Sequence, residues 1–370
     1  MLYTLLPAND DLFVDKSLKS ACAFDGPPDQ TAMSFESWGQ TSLQILTEQL
    51  LVLELARVSR DEIKHNSYLM TKTRLQGYIH DYFSSQALHA IDAQVMEGFV
   101  QFLTDRGLSS PTIKGYLAVC LKLLRFLHRK HILPQMPLLP PVKAQHKPRG
   151  AFTLTEYKAI VRRARELQGQ HYTTWGPGKR IWIKDMYQTM PAAMNGLIRF
   201  MVYTFIRPGD LRQLKHKHVE IVRGKFTYLR LTLPEVKRHA APMISLPPAV
   251  HLFQKIQADN ARLGRGGPED HVFFPLEEDR KLALGIAGWL FNWILYDLDL
   301  KSGPHGADRS LYSLRHTAIT FRLLYGGKID LLTLAKNART SVEMIERFYA
   351  STLAAEANVS LLHSRRSRAL

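Results

Sequence analysis

Three basic side chains and one tyrosine stand at the ends of predicted helices and strands, where side chains can meet a ligand. Arg207 follows an apolar helix at a tight turn, Lys237 lies at a hairpin tip, and Arg315 begins a helix in SLRHTAIT. Tyr349 closes another helix in MIERFYAS. Arginine suits phosphate because its planar fork donates paired hydrogen bonds and keeps its charge. Two arginines and one lysine therefore predict a phosphate cradle; for each residue alone, an ion pair or a solvated charge is the alternative.

The sequence lacks the motifs of several other chemistries. It contains no Gly-x-x-x-x-Gly-Lys phosphate loop, no Gly-x-Gly-x-x-Gly, no His-Glu-x-x-His and no Gly-x-Ser-x-Gly. His216 and His218 are too close in sequence to share one helix face, so we expect no metal and no cofactor. The two cysteines, Cys22 and Cys120, give no disulfide framework and fit a reducing cytoplasm.

The charge balance points to a polyanionic partner. Lysine and arginine number 49 against 33 aspartate and glutamate, a net charge of +16. Such an excess favours nucleic acid first and an anionic membrane second. The N-terminus has no signal-peptide pattern, and the apolar stretch ILTEQLLVLELA carries Glu48 and Glu54. We therefore expect a soluble protein with no membrane partner.

Hydrophobic periodicity predicts a helical first half. Residues 1–61 form an N-terminal arm or cap with one helix at about 41–58, followed by a helical DNA-binding domain over 62–133. The last helix of this domain begins at Ser110, with Pro111 in its first turn. Its polar face carries a candidate DNA-binding stripe, for which an ordinary solvated face is the alternative. This stripe consists of Lys114, Lys122, Arg125 and Arg129.

A proline-rich basic linker over 134–150 follows, and its candidate DNA contacts are Lys143, Lys147 and Arg149. The second domain, 151–370, opens with a capping box in which Thr153 precedes its first helix. Strands at 219–222, 226–233 and 242–246 predict one small antiparallel sheet. Helices are predicted at 194–205, 249–262, 281–298, 310–325, 331–337 and 341–350.

Taken in order, these segments resemble the tyrosine recombinase (phage integrase-like) family. TFIRPGDLRQLKHKHV resembles the first box of its catalytic domain, SLRHTAITFRLLYGG the second, and TSVEMIERFY the tyrosine-bearing end. The resemblance covers about 153–355 strongly and about 62–133 more loosely, as the helical core-binding domain. It implies a mainly α fold with a small antiparallel β-sheet, in which the core-binding domain precedes a mixed α/β catalytic domain.

The resemblance also implies a role for each matched residue. Tyr349 would attack a DNA phosphodiester, leaving a 3′-phosphotyrosyl link and a free 5′-hydroxyl. Arg207 and Arg315 would hold the non-bridging oxygens, and Lys237 would protonate the leaving oxygen. A phenol with a pKa of about 10 is a poor nucleophile at neutral pH, and guanidinium charge favours its ionised form. The family uses neither metal nor ATP.

Two positions depart from the family pattern. Tyr312 stands where the second box usually begins with histidine, and Thr340 stands where histidine or tryptophan usually precedes the nucleophile. Both are candidate catalytic residues, since hydroxyls can hydrogen-bond a phosphate. Thr340 has a competing interpretation as the N-cap of the last helix, with Glu343 completing the capping box. His316 is expected to support the site structurally.

The function that the resemblance implies is site-specific DNA recombination or integration by a mobile element. We expect double-stranded DNA as partner, a homo-tetramer on paired sites, a monomer or dimer when free, and a cytoplasmic, nucleoid-associated location. The alternatives are a related transposase or type IB topoisomerase, and a DNA-binding protein that has lost turnover. The segment from Thr352 to Leu362 is expected either to dock on a neighbouring subunit or to fold back on its own domain.

Overall fold

The computed structural model describes residues 42–143, 150–172, 184–233, 241–303, 306–327 and 329–349. The described residues form two compact units, and the chain passes from one to the other between Gln145 and His146. Each unit has a hydrophobic core of its own. No helix of the described ranges is long and apolar enough to cross a membrane.

The first unit is a helical bundle in its described part. Asp92 caps the fourth helix, since its side chain accepts a hydrogen bond from the Val95 amide at 2.9 Å. Pro111 stands in the first turn of the fifth helix, where its missing amide proton costs nothing. The helices are α1 (Leu43–Ser59), α2 (His65–Arg74), α3 (His80–Phe83), α4 (Ala93–Asp105) and α5 (Ser110–Arg129).

Helix α1 belongs to the core of this unit. Leu46 and Leu50 are buried in the same cluster as Leu75 and Leu124. The sequence-based boundary at residue 62 separates this helix from the bundle, whereas the structure includes it. The physical reason is that the apolar face of an amphipathic helix must be covered by other elements, and the bundle provides them.

The second unit combines eight described α-helices with the small sheet. The predicted capping box is present: Thr153 accepts from the Glu156 amide at 3.2 Å, and Glu156 accepts from the Thr153 amide at 2.7 Å. The helices are α6 (Leu154–Glu166), α7 (Ala193–Thr204), α8 (Pro208–Leu211), α9 (Pro248–Arg262), α10 (Arg280–Asp297), α11 (Leu311–Tyr325), α12 (Leu331–Asn337) and α13 (Val342–Tyr349).

The sheet has three antiparallel strands in sequence order, β1 (Val219–Val222), β2 (Tyr228–Leu231) and β3 (Met243–Ile244). Val219 pairs with Leu231, and Arg230 pairs with Ile244, which makes β3 an edge strand. Strands β2 and β3 are shorter than predicted. The predicted fold class, mainly helical with one small antiparallel sheet, is confirmed.

Candidate phosphate-binding site

The turn after α7 positions Arg207. Phe205 ends the helix with a left-handed backbone (φ 59°), and Arg207 is the N-cap residue of α8. A left-handed conformation is uncommon for a bulky residue and is maintained here by the surrounding packing. The Arg207 guanidinium donates through Nη2 to the carbonyl of Arg339, and its Nη1 lies 3.6 Å from the buried Asp210 carboxylate.

Arg315 lies in the second turn of α11 and is 2% exposed. Its Nη1 donates to the carbonyl of Phe205, and its Nη2 donates to the carbonyl of Ala338. One planar guanidinium therefore connects the end of α7 with the end of α12. A buried cation needs such hydrogen bonds, because an uncompensated charge in the interior is costly.

The two arginines converge on one short turn. Ala338 and Arg339 follow α12, and their consecutive carbonyls accept from Arg315 and Arg207 respectively. Arg339 is itself 2% exposed and has a left-handed backbone (φ 50°). The Asp210 carboxylate contacts Arg207 in this group. Guanidinium groups at one place suit an anion, because their planar forks donate paired hydrogen bonds and keep their charge.

Tyr312 stands one turn before His316 on α11 and is 37% exposed. The two rings pack edge to face with their centroids 5.1 Å apart. Tyr312 and Arg315 are three residues apart on α11, a spacing that puts them at neighbouring positions of the helix surface. The ring contact fits the supporting role predicted for His316.

The structure corrects the interpretation of Thr340 as an N-cap. Helix α13 begins at Val342, and the Ser341 hydroxyl accepts from the Met344 amide at 3.2 Å. Ser341 therefore caps the helix. Thr340 is half-buried next to Arg339, and its amide donates to the Ala335 carbonyl at 2.9 Å. Its hydroxyl is thus not the cap of α13.

Several predicted site residues are only partly described or lie outside the described residues. Tyr349 is the last residue of α13, which starts just after the turn that the arginines bind. Lys237, Lys147, Arg149 and the segment from Thr352 to Leu362 lie outside the described residues. Lys143 is described and exposed.

The basic stripe of α5 divides into two kinds of residue. Lys114, Arg125 and Arg129 are exposed. Lys122 instead donates to the buried Glu54 of α1 at 2.6 Å, and Arg57 donates to the same carboxylate at 2.9 Å.

Burial alone would raise the pKa of Glu54, but the hydrogen bonds from Lys122 and Arg57 outweigh it and the pKa is lowered. Glu54 therefore stays ionised inside the first unit. The Lys122 side chain accordingly contributes to the packing of α1 on α5.

The two histidines considered as metal ligands make hydrogen bonds within the protein. His216 is 5% exposed, and its Nε2 lies 3.1 Å from Nδ2 of Asn260. His218 accepts from the Lys215 amide through Nδ1 at 3.1 Å. Within the described ranges, no group of three histidine, cysteine or acidic side chains is arranged to hold a metal ion.

Sequence reasoning missed the contribution of Arg339 and Asn337. Neither has a local signal that reveals its role, because the carbonyl of Arg339 and the side chain of Asn337 act on residues about a hundred positions away.

Solved structures of DNA-bound proteins are similar to this chain. A lambda integrase dimer bound to a COC′ core site has a TM-score of 0.57 at 15% identity, over 90% of this chain and 81% of that chain. The Tn1549 transposon integrase with transposon right end DNA has a TM-score of 0.57 at 14% identity, over 87% and 98%. XerH site-specific recombinase bound to difH substrate has a TM-score of 0.53 at 16% identity, over 90% and 86%.

No family model and no curated protein matches the sequence. The structural similarity extends over most of the chain at low identity, so it defines the fold. The chain has the tyrosine recombinase fold, and the prediction made from its sequence motifs is confirmed at that level.

Proposed function

We propose that this protein cleaves and rejoins DNA at specific sites, as a tyrosine-type recombinase or integrase. The observation that supports this most is the convergence of Arg207 and Arg315 on the consecutive carbonyls of Ala338 and Arg339. This turn leads directly into the helix that ends in Tyr349. Two guanidinium groups held together match the two non-bridging oxygens of a phosphodiester.

In the proposed reaction the Tyr349 oxygen attacks the phosphorus of one DNA strand. A bond forms between the phenolic oxygen and phosphorus, the bond from phosphorus to the 5′-oxygen breaks, and the phenolic proton passes to solvent. Lys237 gives a proton to the departing 5′-oxygen, which becomes a 5′-hydroxyl. Attack by another 5′-hydroxyl on the phosphotyrosine reverses these steps and rejoins the strand. The phosphotyrosyl ester conserves the energy of the broken bond, so no nucleotide is consumed.

The arginines act on the charge that grows during this step. The non-bridging oxygens become more negative in the pentacovalent transition state, and fixed guanidinium donors stabilise that charge more than the ground state. Tyr312 and Thr340 add hydroxyl donors toward the same phosphate. The guanidinium charge also favours the ionised form of the attacking phenol.

We propose double-stranded DNA as the partner. The net charge is +16, and the first unit carries the exposed Lys114, Arg125 and Arg129. Lys143, Lys147 and Arg149 add linker contacts to phosphate. Lambda integrase forms a tetramer on a Holliday junction, and we propose a homo-tetramer on paired sites here, with a monomer or dimer when free. The protein would act in the cytoplasm on nucleoid DNA and would recombine or integrate a mobile element.

A second candidate is a DNA-binding protein of the same fold without turnover. Its support is that Tyr312 and Thr340 occupy positions where the resembled family usually has imidazole or indole groups. Hydroxyls at these positions transfer protons less readily at neutral pH than imidazole does. This candidate predicts sequence-specific binding with no covalent intermediate. A transposase or a type IB topoisomerase would share the covalent step and differ in its products.

The experiment that separates these candidates is covalent trapping. Full-length protein is incubated with a library of nicked duplexes whose sequence is random around the nick, so that the short 5′-hydroxyl fragment is lost after cleavage. Adducts are isolated under denaturing conditions, and their DNA is sequenced. Enrichment of a defined site supports a site-specific recombinase. Binding without any adduct supports the second candidate.

A further inference from the structure

Asn337 connects the edge of the sheet to the turn that the arginines bind. It is the last residue of α12, and its side-chain amide pairs with both main-chain groups of Ile244. Its Oδ1 accepts from the Ile244 amide at 2.7 Å, and its Nδ2 donates to the Ile244 carbonyl at 3.0 Å. One side chain thus makes the two hydrogen bonds that a further strand would make on β3.

The residues that follow Asn337 hold the two guanidinium groups. Ala338 accepts from Arg315, and Arg339 accepts from Arg207. A shift of this turn would therefore move an acceptor of each guanidinium group. Because the Arg339 backbone is left-handed, the turn needs support from outside its own backbone.

The β3 segment that Asn337 binds also hydrogen-bonds to the end of α7, which carries another acceptor of Arg315. The Leu246 amide donates to the Tyr203 carbonyl at 2.8 Å, two residues before Phe205. Phe205 supplies the other carbonyl that Arg315 binds. Residues 244–246 therefore bind two segments that carry acceptors of the arginines. Asn337 directly precedes the carbonyls of Ala338 and Arg339, and Tyr203 lies two residues before the carbonyl of Phe205.

We infer that Asn337 is a positioning residue of the phosphate site: by fixing the Ala338–Arg339 turn to β3, it sets the orientation of Arg207 and Arg315. This inference rests on the proposed function. A displacement of about 1 Å at a catalytic group can cost on the order of a hundredfold in rate. Loss of the Asn337 bonds should therefore reduce strand cleavage with little effect on DNA affinity.

The test uses the nicked duplex that the wild-type protein selects from the random library. Asn337→Leu keeps a similar volume and removes both hydrogen bonds. Asn195→Leu is the matched control, because Asn195 also joins two elements: its side chain on α7 donates to the Val161 carbonyl of α6 at 2.7 Å. We expect Asn337→Leu to cleave roughly 10- to 100-fold more slowly than the control in single-turnover assays, with unchanged affinity.

A second substrate distinguishes positioning from loss of stability. With a methylphosphonate at the cleaved position, one negative oxygen is absent, so the reaction depends less on correctly placed arginines. The cleavage defect of Asn337→Leu should then shrink to within about threefold. An equal defect on both substrates, or an equal defect in Asn195→Leu, would overturn the inference.

A milder substitution keeps the test valid if Asn337→Leu does not fold. Asn337→Asp keeps the acceptor for the Ile244 amide and loses the donor, so we expect a smaller defect than with leucine. Wild-type cleavage by both Asn337 variants would overturn the inference while leaving the proposed function intact. If wild-type protein forms no adduct with any library member, the proposed function and this inference both fail.

Discussion

Arg207 donates a hydrogen bond to the main-chain carbonyl of Arg339, a residue 132 positions later in the chain. The preceding carbonyl, that of Ala338, accepts from Arg315. Two arginines from separate sequence motifs are thus placed by one turn between two helices. This relationship gives the two motif residues a common location in the structure.

Replacing Arg315 should affect both cleavage and stability. Arg315→Ala leaves the carbonyls of Phe205 and Ala338 without their donor in a buried region, at a cost of roughly 1–3 kcal/mol for each. Cleavage should fall by about two to four orders of magnitude, the scale of a lost transition-state donor. Single-turnover cleavage and urea unfolding measure the two effects.

The control for this prediction is Arg162→Ala, which removes an arginine with a 75% exposed side chain on α6. It should change neither quantity appreciably. Near-normal cleavage by Arg315→Ala would remove Arg315 from the phosphate site.

Lys122 and Arg125 should behave differently although they are neighbours on α5. Lys122→Ala removes a partner of the buried Glu54 and should lower the free energy of unfolding by about 1–2 kcal/mol. Arg125→Ala should leave stability unchanged and reduce the slope of log affinity against log salt by about one. Thermal unfolding and binding titrations at several salt concentrations measure both. Equal effects of the two substitutions on the salt slope would contradict this division.

Stability should fall in mild acid because of His271. Burial, together with the positive charges of Arg280 and Lys215, lowers the pKa of His271 from 6.5 to about 4. Between these two pKa values the unfolded chain binds more protons than the folded protein. The contribution of His271 to the free energy of unfolding is therefore complete above pH 6.5 and is lost as the pH falls toward 4. Urea midpoints measured across this window should decrease with pH. His271→Gln should make the urea midpoint less dependent on pH in this range. If the pH dependence is the same in this variant, groups other than His271 cause it.

Substitutions at Ser341 and Thr340 should have different effects, the first on stability and the second on DNA cleavage. Ser341→Ala removes the cap of α13 and should lower stability by about 1 kcal/mol. Thr340→Val preserves shape and the backbone bond of residue 340 but loses the hydroxyl, so we expect slower cleavage at nearly unchanged stability. Full cleavage by Thr340→Val would assign its hydroxyl no role at the phosphate.

Much of the fold follows from local patterns. The capping box at Thr153 and the bounds of α12 are as predicted, because caps and helical periodicity depend on residues within one or two turns. The order of the motif segments was sufficient to predict the tyrosine recombinase fold.

The remaining features depend on contacts between distant positions. The pattern of α5 shows a basic face, but the pairing of Lys122 with Glu54 spans 68 positions and has no local signal. The adjacent Thr340 and Ser341 are both good capping residues. The left-handed backbone at Arg339, which precedes them, belongs to a tertiary arrangement that the sequence does not display.

The proposed function requires Tyr349 to become covalently joined to DNA. The most direct measurement is mass spectrometry of tryptic peptides from the adduct formed with the selected nicked duplex. We predict one modified peptide, with the 3′-phosphate carried on Tyr349, and no adduct from Tyr349→Phe at equal DNA affinity. An adduct mapped to another residue, or one that persists in Tyr349→Phe, would contradict the assignment of Tyr349 as the nucleophile.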